Sequence, residues 1–146
     1  MRDPVTVATD LAAARDGVIG VRAANGTLIA GQVRLATSFW ARFRGLMGTP
    51  RLDADEGLFL PVNSIHMLFM RFPIDALFVD DPDAAGDRRI VAIRADLHAW
   101  RGLVMPVRGA TGVLELPAGT AARSALRTGD VVRLAPSIGS TAQPTD

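Results

Sequence analysis

Turn-forming residues divide this chain into short apolar runs, and this division is the feature that most limits its fold. Pro61 and Pro73 bound two of these runs, and proline cannot donate a hydrogen bond within a sheet. Asn25-Gly26 separates two further runs and predicts a β-hairpin with a type I′ turn, because both residues accept a positive φ. We therefore expect many short strands rather than long helices.

The apolar runs and turn signals predict a mostly-β fold, a compact antiparallel β-sandwich or barrel. Strands are predicted at 18–24, 27–35, 57–60, 65–70, 74–79, 90–95, 111–116 and 131–135. One clear helix is predicted over about 38–47, where Phe39, Phe43 and Met47 repeat at helical spacing, and a second short one is possible over about 120–126. A parallel α/β sheet would need more helical connections than these.

The length of 146 residues suits one domain. We expect a single β-rich domain over 17–135, a poorly ordered leader or weak helix over 1–16, and a disordered tail over 136–146. No apolar run approaches the roughly 20 residues that a membrane-spanning helix needs. No signal peptide is visible either, so a cytoplasmic location is the expectation.

Three residue types are absent, namely Cys, Lys and Tyr, so all 16 cationic side chains are Arg. Without Cys the chain has no disulfide, no thiolate metal site and no Cys nucleophile. Without Lys it has no Schiff-base chemistry and no Walker A phosphate loop. Chemistry is left to two His, two Glu, 13 Asp, hydroxyl groups and Arg.

Charge is unevenly distributed along the chain, although the formal net charge is only +1. Residues 34–52 carry +4, residues 53–87 carry −7 and residues 88–134 carry +5. We expect these segments to neutralise one another across the folded surface. Nucleic-acid binding ranks last among the possible functions, because the acidic block would have to face away from the nucleic acid.

Three titratable residues interrupt apolar segments and are the candidate catalytic residues: His66, Asp75 and Glu115. Each also has a structural interpretation. His66 would be a packed imidazole, Asp75 would pair with Arg or accept backbone N–H groups, and Glu115 would face outward or pair with Arg. The sequence shows no paired-ligand spacing such as His-x-x-x-His, so it predicts no metal site.

Four stretches, in their order and spacing, resemble the bacterial and archaeal family known as domain of unknown function 192. They are Arg44-Gly45-Leu46-Met47-Gly48, Gly57-Leu58-Phe59, Ile65-His66-Met67 with 70–78, and 113–119 with Gly129-Asp130. The resemblance covers roughly residues 35–134. It implies a compact, mostly-β sandwich of jelly-roll-like type, but no established activity, cofactor or catalytic residue.

Three functions are consistent with these residues. The preferred one is a non-enzymatic binding or accessory module, whose cleft is lined by Arg44, Arg71 and Trp100 and takes an anionic small molecule or an acidic peptide. The alternative is a hydrolase- or lyase-type enzyme that uses His66 with Asp75 or Glu115. Weak nucleic-acid binding is the third. The cofactor and the oligomeric state stay unknown at this level.

Overall fold

The computed structural model describes residues 18–35, 52–63, 65–66, 72–98, 103–104 and 106–136. Nine strands and one short helix, α1 Thr120–Arg123, lie in these ranges. The strands are β1 Val18–Ala23, β2 Leu28–Leu35, β3 Glu56–Leu60, β4 Ile65–His66, β5 Ile74–Val79, β6 Asp87–Leu97, β7 Leu103–Val104, β8 Gly112–Pro117 and β9 Val131–Pro136. The predicted mostly-β fold class is therefore confirmed.

Seven strands close into a barrel in the order β1-β2-β3-β8-β5-β6-β9, and β9 pairs with β1 to complete it. The strands β4 and β7 form a separate two-stranded sheet. All neighbours in the barrel are antiparallel except β2 and β3, which are parallel. The 20 residues between these two strands are long enough for the crossover connection that a parallel pair requires.

The hairpin at Asn25-Gly26 is confirmed, but the predicted type I′ turn is wrong. Gly26 has a φ of 87°, whereas Asn25 has no positive φ. Gly26 N donates to Ala23 O, and Ala23 N donates to Thr27 O, both at 2.9 Å. This is the pattern of a three-residue loop with a left-handed glycine. The side chain of Asn25 stabilises it, because Oδ1 accepts the Thr27 N–H at 2.9 Å.

The short second helix is present as α1, Thr120–Arg123, which is shorter than the predicted range of 120–126. Ala125 has a φ of 52°, and this left-handed residue ends the helix. Leu126 N donates to Ala121 O at 2.9 Å and Ala125 N donates to Ala122 O at 3.1 Å, which is the Schellman arrangement. The helix predicted over about 38–47, the leader at 1–16 and nearly all of the predicted tail lie outside the described residues.

Two apolar clusters lie on the two sides of the barrel wall. The inner cluster fills the barrel and includes Val33, Phe59, Leu77, Leu114 and Leu134. The outer cluster lies on the outward faces of β3, β5, β6 and β8 and on the loop before β8, and consists of Leu58, Leu60, Ile74, Ala76, Phe78, Ala92, Ala110 and Val113. Strands β5 and β8 are consequently buried on both faces, which explains why they read as nearly continuous apolar runs.

Candidate functional site

The structure does not bring Asp75 and Glu115 together, because they lie on opposite faces of the same sheet. Strands β5 and β8 are neighbours, with Asp75 opposite Leu116 and Ala76 opposite Glu115. Residues directly opposite each other share a face. Asp75 therefore faces the barrel interior with Leu116, whereas Glu115 faces outward with Ala76. A single catalytic site cannot use both carboxyl groups.

Asp75 has a structural role at one end of the barrel. Its side chain is 1% exposed, and both carboxylate oxygens accept backbone hydrogen bonds. Oδ1 accepts the N–H of Asp96, a left-handed residue near the end of β6, and Oδ2 accepts the N–H of Ala121 in α1, both at 2.9 Å. The structural interpretation of Asp75 as an acceptor of backbone N–H groups is correct. One carboxylate thus joins β5, β6 and α1.

Glu115 is the buried acid of the outer wall. It is 7% exposed, and its neighbours across the sheet are Leu58 on β3 and Ala76 on β5, both members of the outer cluster. No hydrogen bond or ion pair links its carboxyl to another residue in the described ranges. Removal from water raises the pKa of the Glu115 carboxyl to about 7, since the charged form is poorly solvated there.

Two arginines that sequence reasoning missed share a row of side chains with Glu115. The register across five strands places Arg34, Leu58, Glu115, Ala76 and Arg94 side by side on the outward face. We call these five residues the Glu115 row. Both arginines are exposed, and each lies two strands from Glu115, roughly 10 Å between Cα atoms at the usual strand spacing. Period-two alternation puts Arg94 on the same face as Ala92, but only the pairing register reveals the row.

The residues predicted to line an anion cleft lie in segments whose described ends pack on the outer cluster. Arg71 and Trp100 themselves are outside the described residues, as is Arg44. Five residues that flank these segments pack against the outer cluster. Leu52 follows the segment that bears Arg44, Val62 and Phe72 flank the one that bears Arg71, and Leu97 and Val107 flank the one that bears Trp100. Val107 N also donates to Asn63 O at 2.8 Å, next to the β4–β7 sheet. These five flanking residues therefore lie on the wall that carries Glu115.

His66 lies on β4, where it pairs with Leu103 of β7. Its side chain is not among the described features. The other histidine, His98, is exposed, and its Nε2 lies 3.1 Å from Asp96 Oδ2. Within the ranges that the structure covers, no group of three or more His, Asp or Glu residues could hold a metal ion.

The acidic and basic segments partly neutralise one another, as the charge pattern predicts. Arg133 Nε lies 2.7 Å from Asp87 Oδ1 across β6 and β9. Arg88 Nη1 donates to the backbone oxygen of Asp80 at 2.9 Å, and its guanidinium stacks 5.0 Å from the ring centre of Phe59. Asp130 stabilises the turn before β9, because its Oδ2 accepts the Arg127 N–H at 2.8 Å. Arg34 and Arg94 remain as exposed cations of the outer wall.

These features define a class, a small β-barrel domain with a second apolar cluster on one outer wall and a buried glutamate within it. Comparison with known proteins then confirms the family resemblance. The family model described as "Uncharacterized ACR, COG1430", domain of unknown function 192, matches residues 21–134. The chain belongs to this family.

Two relatives illustrate the family. A UPF0127 protein of Thermococcus sibiricus is 36% identical over 99 residues, which cover 64% of this chain and 60% of the relative. The UPF0127 protein TK1120 of Thermococcus kodakarensis is 32% identical over 111 residues, 73% of this chain and 66% of the relative. The chain thus spans somewhat less than two thirds of the length of these relatives.

Two solved structures have the same fold. A putative transcription regulator from Sinorhizobium meliloti superposes with a TM-score of 0.66 at 24% identity, over 80% of this chain and 91% of that one. A protein of unknown function from Novosphingobium aromaticivorans gives 0.65 at 27% identity, over 80% and 83%. Within the described ranges, no helix is long and apolar enough to cross a membrane.

Proposed function

We propose that this domain is a non-enzymatic binding module, whose site on the outer wall takes an anionic small molecule or an acidic peptide. The observation that carries the proposal is the convergence on one wall. Three features lie on that wall: the buried Glu115, the exposed Arg34 and Arg94 of its row, and the described residues next to the segments that bear Arg44, Arg71 and Trp100.

Arginine is the group that suits such a ligand. Its planar guanidinium binds a carboxylate or phosphate through two parallel hydrogen bonds, and it keeps its charge at every physiological pH. Arg94 belongs to the same strand as Ala92 of the outer cluster, so an anion held by Arg94 would lie beside an apolar surface. An apolar wall with a few placed polar groups is typical of small-molecule sites.

The test is a ligand screen with arginine variants. Anionic metabolites and acidic peptides are screened by thermal shift and confirmed by calorimetry. The expected result is a ligand whose affinity falls at least tenfold in Arg94→Ala and in the double variant Arg44→Ala, Arg71→Ala. The control is the double variant Arg22→Ala, Arg133→Ala, which removes two charges from cross-strand partners on the far side of the barrel.

The two sets of arginine variants separate a site from a general charge effect. An equal loss in the control would mean that net charge, and not the outer wall, attracts the ligand. A screen without any binder would overturn the proposal. A shift with mixed DNA or RNA at low salt that disappears steeply as salt rises would favour nucleic acid instead.

A hydrolase- or lyase-type activity is the second candidate function, and the raised pKa of the Glu115 carboxyl favours it. A carboxyl with a pKa near 7 is close to the value at which a general acid or base is most effective at neutral pH. Asp75 has no part in this alternative, because it faces the barrel interior. Turnover of a bound compound that Glu115→Gln abolishes, while the compound still binds, would support an enzyme. Binding without turnover supports the module.

A further inference from the structure

The β1–β2 hairpin places an asparagine directly before a glycine at an exposed loop tip. Asn25 and Gly26 are both exposed, and a Cβ added at Gly26 would meet no atom within 4 Å. The space around the Gly26 backbone is therefore open. The chain has one other asparagine, Asn63, which is also exposed but is followed by Ser64. The two asparagines thus differ in the residue that follows them.

An asparagine followed by glycine has a specific reaction open to it. The backbone nitrogen of Gly26 attacks Cγ of Asn25, a C–N bond closes a five-membered succinimide ring, and the side-chain nitrogen leaves as ammonia with the proton from Gly26 N. Water then adds to one of the two ring carbonyls and breaks the bond between that carbonyl and the ring nitrogen. Opening on one side gives aspartate, and opening on the other gives isoaspartate. Glycine favours ring closure, because it has no side chain in the way and adopts backbone angles that other residues avoid.

Two hydrogen bonds of the loop oppose this reaction. Gly26 N donates to Ala23 O at 2.9 Å, which occupies the attacking nitrogen. The Oδ1 atom of Asn25 accepts the Thr27 N–H at 2.9 Å, which holds the side-chain amide in place. Both bonds belong to exposed residues of a three-residue loop, and such loop tips open far more readily than a barrel core. The hairpin therefore slows the attack without preventing it.

We propose that Asn25 is a modification site, at which the folded protein deamidates spontaneously to aspartate and isoaspartate. Either product adds one acid to the 15 present and cancels the formal net charge of +1. The aspartate product keeps an oxygen for the Thr27 N–H, so the hairpin survives. Isoaspartate adds a methylene group to the backbone of the three-residue loop and disrupts it. The hairpin lies outside the outer cluster, so this inference does not depend on the proposed function.

The experiment follows both asparagines in one sample of the full chain, incubated at pH 8. Trypsin cleaves after Arg and places Asn25 in the peptide 23–34 and Asn63 in the peptide 52–71. Mass spectrometry measures the gain that accompanies replacement of an amino group by a hydroxyl group, and fragmentation separates Asn25 from Gln32. Chromatography against synthetic peptides distinguishes aspartate from isoaspartate. A second sample in concentrated urea gives the rate without the hairpin.

The variant Asn25→Asp is the control, because it keeps the acceptor for the Thr27 N–H and has no amide to lose. In the folded chain we expect Asn25 to react at least tenfold faster than Asn63, to give both products, and to react faster still in urea. The mass gain in the peptide 23–34 should be absent from Asn25→Asp.

Three results would overturn the proposal. The first is an equal rate at Asn25 and Asn63, which would show that the following glycine has no effect. The second is full conversion in urea without any gain in the folded chain, because the two hydrogen bonds would then prevent the attack. The third is aspartate without isoaspartate, which would exclude the succinimide ring.

Discussion

Replacement of Glu115 by Gln should stabilise the protein, and the gain should depend on pH. In the folded chain, burial raises the pKa of this carboxyl from 4.5 to about 7. Between these two pH values the unfolded chain has lost the proton and the folded chain still holds it. The free energy of unfolding therefore falls as pH rises through this window. Gln carries no charge in either state, so the variant escapes this loss.

The size of this stability difference follows from the change in the pKa of Glu115 on folding. About 2.5 pKa units correspond to about 3 kcal/mol, at 1.36 kcal/mol per unit. We expect Glu115→Gln and the unchanged chain to differ little near pH 4, and the variant to be more stable by about 3 kcal/mol above pH 7. Urea unfolding at pH 4, 5.5, 7 and 8, followed by circular dichroism, measures this difference directly.

The matched control is Glu56→Gln, the same change at the only other glutamate of the chain, which is half-buried at the start of β3. A stability difference for Glu115→Gln that is the same at pH 4 and pH 8 would refute the reasoning, because it would show that the carboxyl gains its proton equally in the folded and unfolded states. A loss of stability above pH 7 would show that Glu115 has a favourable partner.

Two further substitutions test the framework around the site. Asp75→Ala leaves the buried Ala121 N–H without its acceptor, and we expect a loss of about 3 kcal/mol in urea unfolding, with a smaller loss for Asp75→Asn, which keeps one acceptor. A loss below about 1 kcal/mol for Asp75→Ala would mean that these bonds do not hold the barrel end. Gly57→Ala places a Cβ 2.9 Å from the backbone oxygen of Glu115, and we expect a loss of about 1–3 kcal/mol. The control is Gly20→Ala, whose nearest atom would be 3.9 Å away, and an equal loss in both variants would show that the close approach at Gly57 is not the cause.

Local signals in the sequence are enough to predict the strands but not the way they pair. Asn25-Gly26 correctly indicates a hairpin, because the need for a left-handed residue is a property of the turn itself. The turn type was wrong, because the side chain of Asn25 accepts the Thr27 N–H and holds the loop in a three-residue form. The parallel pair of β2 and β3 depends on residues far apart in the chain, which local patterns do not specify.

The same limit applies to the candidate site. Asp75 and Glu115 stand out in the sequence as acids within apolar strands, and both are indeed buried. Period-two alternation assigns each to one face of its own strand, but only the register between β5 and β8 shows that the faces are opposite. The sequence does not single out Arg94 as a site residue, because it shows no pairing register either. Nothing near it in the chain marks it, and its proximity to Glu115 arises from pairing across β5.

The central claim is that the outer wall of the barrel, and no other surface, binds the ligand. Nuclear magnetic resonance of alanine methyl groups tests it directly, because alanines lie at all the relevant positions. Ala76 and Ala92 belong to the outer cluster, Ala30 belongs to the inner cluster, and Ala135 lies opposite Gly20 on the far side of the barrel. On titration with the anionic ligand that the screen identifies, we expect saturable shifts at Ala76 and Ala92, with Ala30 and Ala135 little changed. Shifts at Ala135 with Ala76 and Ala92 unmoved would contradict the account.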